Sequence, residues 1–402
     1  MKIRFVPFEK LPYSDTSWAL IEGPDDCVYA ASCCEMTAGG TVFVVRYDPK
    51  TEKLEYLLDV AEAVGQSPQN DRATQCKIHY SMLVDDEGVM YGATHLSGPA
   101  KSQLQYNPWS TFDDPRRSYV GSRMFAYDCG VEKVLWTDTL IPWEGCRCLA
   151  LDQKRRRLYA VGYPRDHFYM WEIDTHQRHD LGRIGSVNPQ AIWLDSRDRA
   201  YTTTDYGKIL VYDPEREDLS QTDLQTPCAP YQKGWHNVVY DAVKVPGTDD
   251  VVGVNWNLAP YLFRFSPGDK SGTGRLQNLG PASPGIEGRK LRGVNTDHAG
   301  GLVFTAGGEL LFSVSRTRGA GASGRVATLK KMDLESREVE VLGDLVDETG
   351  VEIAYISRAV RIGPRDLVMG VVGRIPTGIV HVKLDEELAN GPYQETQRRY
   401  WG

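Results

Sequence analysis

Seven times along the chain an apolar run, a polar turn and a second run ending in small or polar residues follow one another. No other property of the sequence restricts its fold so tightly. Four copies are clear: Ala19–Ser32 (ALIEGPDDCVYAAS), Leu83–Thr94 (LVDDEGVMYGAT), Leu149–Gly162 (LALDQKRRRLYAVG) and Ile192–Asp205 (IWLDSRDRAYTTTD). Weaker copies are Ala242–Asn255, Gly293–Gly307 and Ala359–Val372. Runs such as VFVVRYDP from Val42 or ILVYDP from Ile209 add a third strand, and KLEYLLDV from Lys53 or KVLWTD from Lys133 a fourth. Units of four short strands at a period of roughly 40–60 residues predict an all-β fold, a seven-bladed β-propeller of four-stranded antiparallel blades. One blade cannot bury both of its faces, so neighbours must stack, and residues 1–402 read as a single propeller domain. The seventh unit lacks a strand, because Tyr393–Gly402 is polar and irregular; the N-terminal KIRFVPF (Lys2–Phe8) is expected to supply it and close the last blade. Leu96–Arg123 reads as an insertion loop in blade two. Arg316–Gly324 (RTRGAGASG) reads as a second loop, glycine-rich but without the strand–helix context of a phosphate-binding turn.

The formal charge of -8 and a pI near 5.6 argue against a general nucleic-acid binder. No apolar run reaches the ~18 residues of a membrane-spanning helix, so no membrane partner is expected. The N-terminus has no apolar h-region and no small-residue cleavage site, which implies a cytoplasmic chain, or a periplasmic or secreted one if a leader has been removed. The eight cysteines, with Cys33 beside Cys34 and Cys146 two residues from Cys148, follow neither a disulfide framework nor a zinc knuckle. They read as buried free thiols, and a monomer is expected.

The segment Lys77–His95 (KIHYSMLVDDEGVMYGATH) carries a histidine at each end of one hairpin, His79 and His95. In an antiparallel pair the start of one strand lies beside the end of the next, so both imidazoles should share one sheet edge. In a propeller the start of each first strand and the end of each second strand open on the same face. That rule selects Arg147, Tyr163 and His167 from blade three, and Gln190 and Tyr206 from blade four with Arg183 on its approach. It selects Trp235, His236, Asn255 and Trp256 from blade five, Arg289 and Arg292 from blade six, and Arg358 and Arg374 from blade seven. Tryptophan and tyrosine platforms suit sugar rings, and arginine forks suit carboxylates. Each has a structural alternative: the histidines as core groups, Trp235 and Trp256 as packing between blades, Tyr163 as an exposed turn residue, Arg155, Arg156 and Arg157 as solvated charge. His167, His176 and His179 imitate a metal cluster, but they are expected on different strands and no metal is assigned.

The histidine that starts blade two, the hairpin D-x-x-G-x-x-Y-G (Asp85–Gly92), the histidine at its end and the L-Y-x-x-x-Y-P segment Leu158–Pro164 resemble one family. It is that of the seven-bladed β-propeller polysaccharide lyases, of ulvan lyase and rhamnose–glucuronate lyase type. The architectural resemblance covers nearly the whole chain; the specific motifs lie in blades two and three. It implies a lyase for oligo- or polysaccharides that contain uronic acid, with His79 and His95 catalytic or substrate-orienting and Tyr163 the acid–base tyrosine. An arginine would neutralise the uronate carboxylate, Arg183 (in DLGRIG) as first choice and Arg147 as second. Removing the hydrogen α to that carboxylate creates a dianionic species, which a paired arginine offsets in the transition state. A His or Tyr takes the proton and another donates one to the departing O4. No cofactor is needed. Relatives with this propeller also include rhamnosidase-like hydrolases, and a non-enzymatic binding propeller stays open. Paired carboxylates for hydrolysis are not evident, Glu35, Glu144 and Asp205 being scattered.

Overall fold

The structure, a computed structural model, describes residues 1–65, 71–96, 98, 118–229, 236–256, 259–269, 274–283, 297–317 and 325–394. Strands alternate with Asp- and Gly-rich turns, and among the described residues helix is confined to two single-turn segments, α1 (Val60–Ala63) and α2 (Glu386–Ala389). No helix among the described residues is long and apolar enough to cross a membrane.

After β1 (Lys2–Pro7), the first blade is β2 (Leu20–Glu22), β3 (Val28–Cys33), β4 (Val42–Asp48) and β5 (Lys53–Asp59). The second is β6 (Ile78–Val84), β7 (Val89–Thr94), β8 (Gly121–Asp128) and β9 (Lys133–Pro142); the third is β10 (Gly145–Asp152), β11 (Arg157–Tyr163), β12 (His167–Glu172) and β13 (Gln177–Arg183). The fourth and fifth are β14 (Trp193–Leu194), β15 (Ala200–Thr203), β16 (Lys208–Asp213), β17 (Asp218–Gln225), then β18 (Val238–Lys244), β19 (Val251–Trp256), β20 (Tyr261–Ser266), β21 (Arg275–Pro281). The sixth is β22 (His298–Phe304), β23 (Leu310–Thr317), β24 (Arg325–Met332), β25 (Val339–Asp344), and the chain closes with β26 (Ile356–Ile362), β27 (Asp366–Val371) and β28 (Gly378–Lys383). Neighbours within each blade pair antiparallel in chain order, and the last sheet runs β1-β28-β27-β26, so the N-terminal strand completes the seventh blade as expected. This is a seven-bladed β-propeller. Residues 97 and 99–117 of the expected insertion, and 318–324 of the glycine-rich loop, lie outside the described residues; Gly121–Arg123 already belongs to β8 and Arg316–Thr317 to β23.

By its internal contacts the chain resolves into two compact units. One holds Val6–Arg183 with Gly370–Ile379, the other Met1–Phe5, Ile184–Met369 and Val380–Gln397. In the first unit the inner strands β6 and β10 are buried along their whole length, whereas the outer strand β13 is polar and largely exposed. Strands covered on both faces read as apolar runs, which is why the first runs of the repeat are the clearest. Tyr80 of β6 pairs in parallel with Cys148 of β10, which joins blades two and three into one eight-stranded sheet.

The hairpins are closed by a recurrent aspartate clamp. Asp85 Oδ1 accepts from the Glu87 and Val89 amides at 3.0 and 2.8 Å, and its Oδ2 accepts from the Tyr91 hydroxyl at 3.2 Å. Asp195 repeats this in blade four with Arg197, Arg199 and the Tyr201 hydroxyl, all at 2.9 to 3.0 Å. The fourth turn residue is left-handed in both, Gly88 at φ +83° and Asp198 at +60°, a conformation that glycine, asparagine and aspartate tolerate. The D-x-x-G-x-x-Y-G motif is thus a turn device. All eight cysteines are free, six of them buried and Cys27 and Cys228 half-buried.

Candidate active site

The first unit gathers ionisable and aromatic groups where β6 and β10 begin and β3, β7 and β11 end. Two β-bulges aim them. On β6 the register jumps from Ile78↔Thr94 to Met82↔Gly92, leaving His79, Tyr80 and Ser81 opposite one residue, Ala93. On β10 it jumps from Cys146↔Gly162 to Cys148↔Val161, and Arg147 is the extra residue. An extra residue bends the strand and redirects its side chain.

His79 donates through Nδ1 to the Arg147 carbonyl at 3.2 Å, so the imidazole of one blade is held by the bulge of the next. Trp18 stacks on His79 with centroids 4.7 Å apart and planes at 22°. The Trp18 indole donates to Glu35 Oε2 at 3.0 Å, while Glu35 Oε1 receives the Lys77 ammonium at 2.6 Å. Lys77 is only 4 % exposed, and its ammonium lies 5.2 Å from the centre of the Trp18 ring. Burial alone would raise the Glu35 carboxyl, but the Lys77 charge and the two hydrogen bonds hold it below the usual carboxylate range.

His95 follows β7, its ring 5.4 Å from that of His79 and 4.8 Å from that of Tyr163. Its Nδ1 donates to the Leu96 carbonyl at 2.7 Å, which fixes the tautomer and leaves Nε2 as the basic atom. Nε2 is buried without a hydrogen-bond partner among the described residues. Burial first, then the positive charges of Lys77 and Arg147, push the His95 pKa well below the ordinary histidine value, so the ring is neutral. The Arg147 guanidinium lies over the Tyr163 ring, 4.9 Å from its centre. Among the described residues it has no carboxylate partner, and its buried Nε has no acceptor. Burial raises the Tyr163 phenol above its ordinary value, with Arg147 opposing, so the hydroxyl keeps its proton at neutral pH. These groups form one assembly: a paired cation, a neutral imidazole, a protonated phenol and a guanidinium without an ion-pair partner among the described residues.

Of the residues expected at this face, His79, His95, Tyr163 and Arg147 come together. Arg183 lies at the same end of blade three but on the exposed outer strand, opposite His167 of β12. At the ~4.8 Å spacing of paired strands it stands three strands from Arg147. His167, His176 and His179 each pair with their own carboxylate, Asp180 at 2.9 Å, Asp138 at 2.8 Å and Glu172 at 3.6 Å. Arg155, Arg156 and Arg157 pair with Asp152, Asp174 and Glu172. Glu144 is fully buried and bound by Arg165.

The remaining expected residues belong to the second unit. The Gln190 main-chain N–H donates to the Val239 carbonyl at 2.9 Å, and Tyr206 is exposed. Asp205 caps the Gly185–Val187 turn, accepting from the Ser186 and Val187 amides at 2.7 and 3.0 Å. Asn255 is consumed by scaffold bonds to Asn237, Pro227 and the Tyr261 amide. Arg358 is buried on β26. His236, with burial lowering its pKa, sits edge-on to Trp256 at 4.8 Å. Trp256 in turn adjoins Tyr240, the bulged residue of β18, and His298, which packs against Tyr355. Trp235 and Arg292, like Arg289, lie outside the described residues.

Sequence reasoning did not assign Lys77, Trp18 or Tyr80. Lys77 stands two residues before His79, just ahead of β6, and that proximity was the one local signal available. Trp18 and Glu35 join only through the stacking of blade one on blade two.

No protein-family model matches the chain, and no curated protein sequence does. Solved structures do. A streptogramin B lyase is similar at a TM-score of 0.60 and 10% identity, covering 95% of this chain and 97% of its own. Virginiamycin B lyase from Staphylococcus aureus is similar at 0.58 and 9%, covering 96% and 99%. The WD40 repeats of RRP9 are similar at 0.57 and 13%, covering 96% and 98%. At such identities the likeness establishes the β-propeller fold, shared by lyases and by WD40 repeat proteins.

Proposed function

We propose that the chain is a carbon–oxygen lyase that cleaves glycosidic bonds to a uronic acid by β-elimination. The observation that carries this reading is Arg147: a buried guanidinium with no ion-pair partner among the described residues, over the ring of a protonated tyrosine, beside a neutral histidine whose Nε2 has no hydrogen-bond partner among them. A carboxylate fits the guanidinium fork, and the charge that develops on it during proton loss is what that fork stabilises. His95 Nε2 takes the C5 proton as the C4–O4 bond breaks and the C4–C5 double bond forms, and the Tyr163 hydroxyl delivers a proton to the departing O4. His79, held by the Arg147 carbonyl and Trp18, orients the pocket. Arg183 serves at the rim, for a neighbouring sugar. Two of the similar structures are themselves called lyases, which is consistent with elimination on this scaffold.

Hydrolysis fits less well. Glu35 is tied to Lys77 and Glu144 to Arg165, so neither is a free acid or base. Incubation with glucuronate-containing polysaccharides should produce the ultraviolet absorbance of an unsaturated uronate. Sugar release without that absorbance would point to hydrolysis, and binding without conversion to a carbohydrate-binding propeller.

A further inference from the structure

Arg147 and His95 address one group. The guanidinium carbon lies 4.9 Å, and the imidazole centre 4.8 Å, from the centre of the Tyr163 ring. They are therefore within about 10 Å of each other. Each brings a buried polar atom without a partner among the described residues, Arg147 Nε and His95 Nε2. We propose that they form one proton-coupled anion site: a carboxylate that settles on Arg147 makes His95 a stronger base, so that the anion and a proton are taken up together. The uronate identity of the carboxylate rests on the lyase reading; the coupling does not.

The charges around His95 make Arg147 decisive. Lys77, just before β6, and His79 on it face His95, as do Arg147 of β10 and Tyr163 at the end of β11; Asp166 acts on the phenol, and Glu35 pairs with Lys77. Gly145 packs its backbone directly against that of His95 and Leu96, so no side chain fits between the two strands there. Glu35 cancels Lys77 and Arg165 cancels Glu144, while Asp166 acts on Tyr163 in the sense opposite to Arg147. Arg147 also acts on Glu35, but among the described residues it has no carboxylate within ion-pair distance. Burial and the two cations hold His95 neutral in the empty site. A bound carboxylate removes one of those causes. A unit charge at about 10 Å, in an effective dielectric of ~20, moves a pKa by about one unit. By reciprocity, a protonated His95 binds the anion about tenfold more tightly. The base is thus weak until a carboxylate arrives, and the hydrogen to be removed from a uronate sits on the carbon beside that carboxylate.

The test is an NMR titration of the histidine rings of the full chain, with His95 identified by its loss in His95→Gln. Sodium glucuronate is the probe and glucose the neutral control. The His95 midpoint should rise by about one unit with glucuronate and stay put with glucose. Glucuronate should bind up to about tenfold more tightly as pH falls across the titration. Arg147→Gln should raise the midpoint without ligand and abolish the response, whereas Arg147→Lys should leave the ligand-free midpoint near its original value. If Arg147→Gln does not fold, the wild type and Arg147→Lys decide. Glucuronate that binds without moving His95 overturns the coupling and leaves the lyase reading standing. A shifted midpoint in a protein that degrades no glucuronate glycan upholds the coupling and sinks the lyase reading. Failure to bind glucuronate at any pH overturns the proposal.

Discussion

Replacing Glu35 by glutamine should cost the fold about 3 kcal/mol. The carboxylate meets Lys77 at 2.6 Å, the lysine side chain is 4 % exposed, and the second oxygen accepts the Trp18 indole at 3.0 Å. Glutamine keeps the shape but loses the charge and one oxygen. The Lys77 ammonium is left buried without a counter-ion, and one of the two donors faces an NH2 group. Removing one partner of a buried pair costs about 3–5 kcal/mol, because the stranded charge remains desolvated. With unfolding entropies of about 2.1 cal/mol/K per residue, 3 kcal/mol lowers the melting temperature by about 4 °C if all 402 residues melt together, and by about 7 °C if only the half that contains Glu35 does. Differential scanning calorimetry reads either. In Glu35→Met/Lys77→Met both charges go, and the remaining loss should be the ~1–2 kcal/mol of an orphaned Trp18 N–H. The pH dependence follows from the same pair. The folded Glu35 carboxyl is held below its ordinary value of 4.5, so its contribution is complete above about 4.5 and disappears as pH falls through the lower folded value. Wild type should therefore lose stability faster than Glu35→Gln in that acid window. A single variant that melts within 1 °C of wild type, or a double variant less stable than the single, would refute the claim that Glu35 exists to balance a buried lysine.

On a glucuronate glycan, the acid limb of kcat/KM should lie well below the ordinary histidine value of 6.5, because His95 stays neutral there, and the basic limb should lie above 10.0, because burial raises Tyr163; an acid limb near 6.5 would contradict the assignment of His95 as base. Tyr163→Phe and His95→Gln should each lower kcat by about 10²-fold or more with little change in KM, the pattern expected for groups that act in proton transfer. Arg147→Met should lose at least as much kcat/KM, and Arg183→Met about fivefold or less; the reverse order in steady-state assays would move the carboxylate to the outer strand. Gly92→Ala should destabilise the protein by about 1–3 kcal/mol, since the added methyl falls 2.3 Å from the buried Phe125 ring, and Phe125→Leu in the same chain should restore part of the loss in a thermal melt.

Much of the fold was legible because the repeat rests on local rules. Apolar runs marked the strands, and Asp- and Gly-rich stretches marked the turns, whose aspartates the structure shows clamping a tyrosine hydroxyl, Asp85 that of Tyr91 and Asp195 that of Tyr201. The missing seventh-blade strand could be assigned to Lys2–Phe8 because the seventh unit has only three strand runs and the N-terminal run belongs to no other unit. The site was legible only in part. His79, His95 and Tyr163 stand at strand ends, whose common face follows from topology. Arg147 ranked below Arg183 because the bulge that turns it inward is a register fault between Cys146 and Cys148, invisible to a pattern of period two. The Trp18–Glu35–Lys77 linkage spans two blades and up to 59 positions of chain, and no local spacing encodes it. Asn255 misled for the opposite reason: a polar residue at a strand end was spent on scaffold bonds.

The backbone bridge between Tyr80 and Cys148 has a wider implication. His79 and Arg147 sit next to it on neighbouring strands, so the separation of their backbones is set by main-chain pairing. Loops at the rim could drift, lengthen or be exchanged between relatives without altering that separation. A lineage built on this sheet would be free to change what its rim contacts while the backbone positions of this histidine and this arginine stay in register, and the two could then evolve on separate parts of the chain.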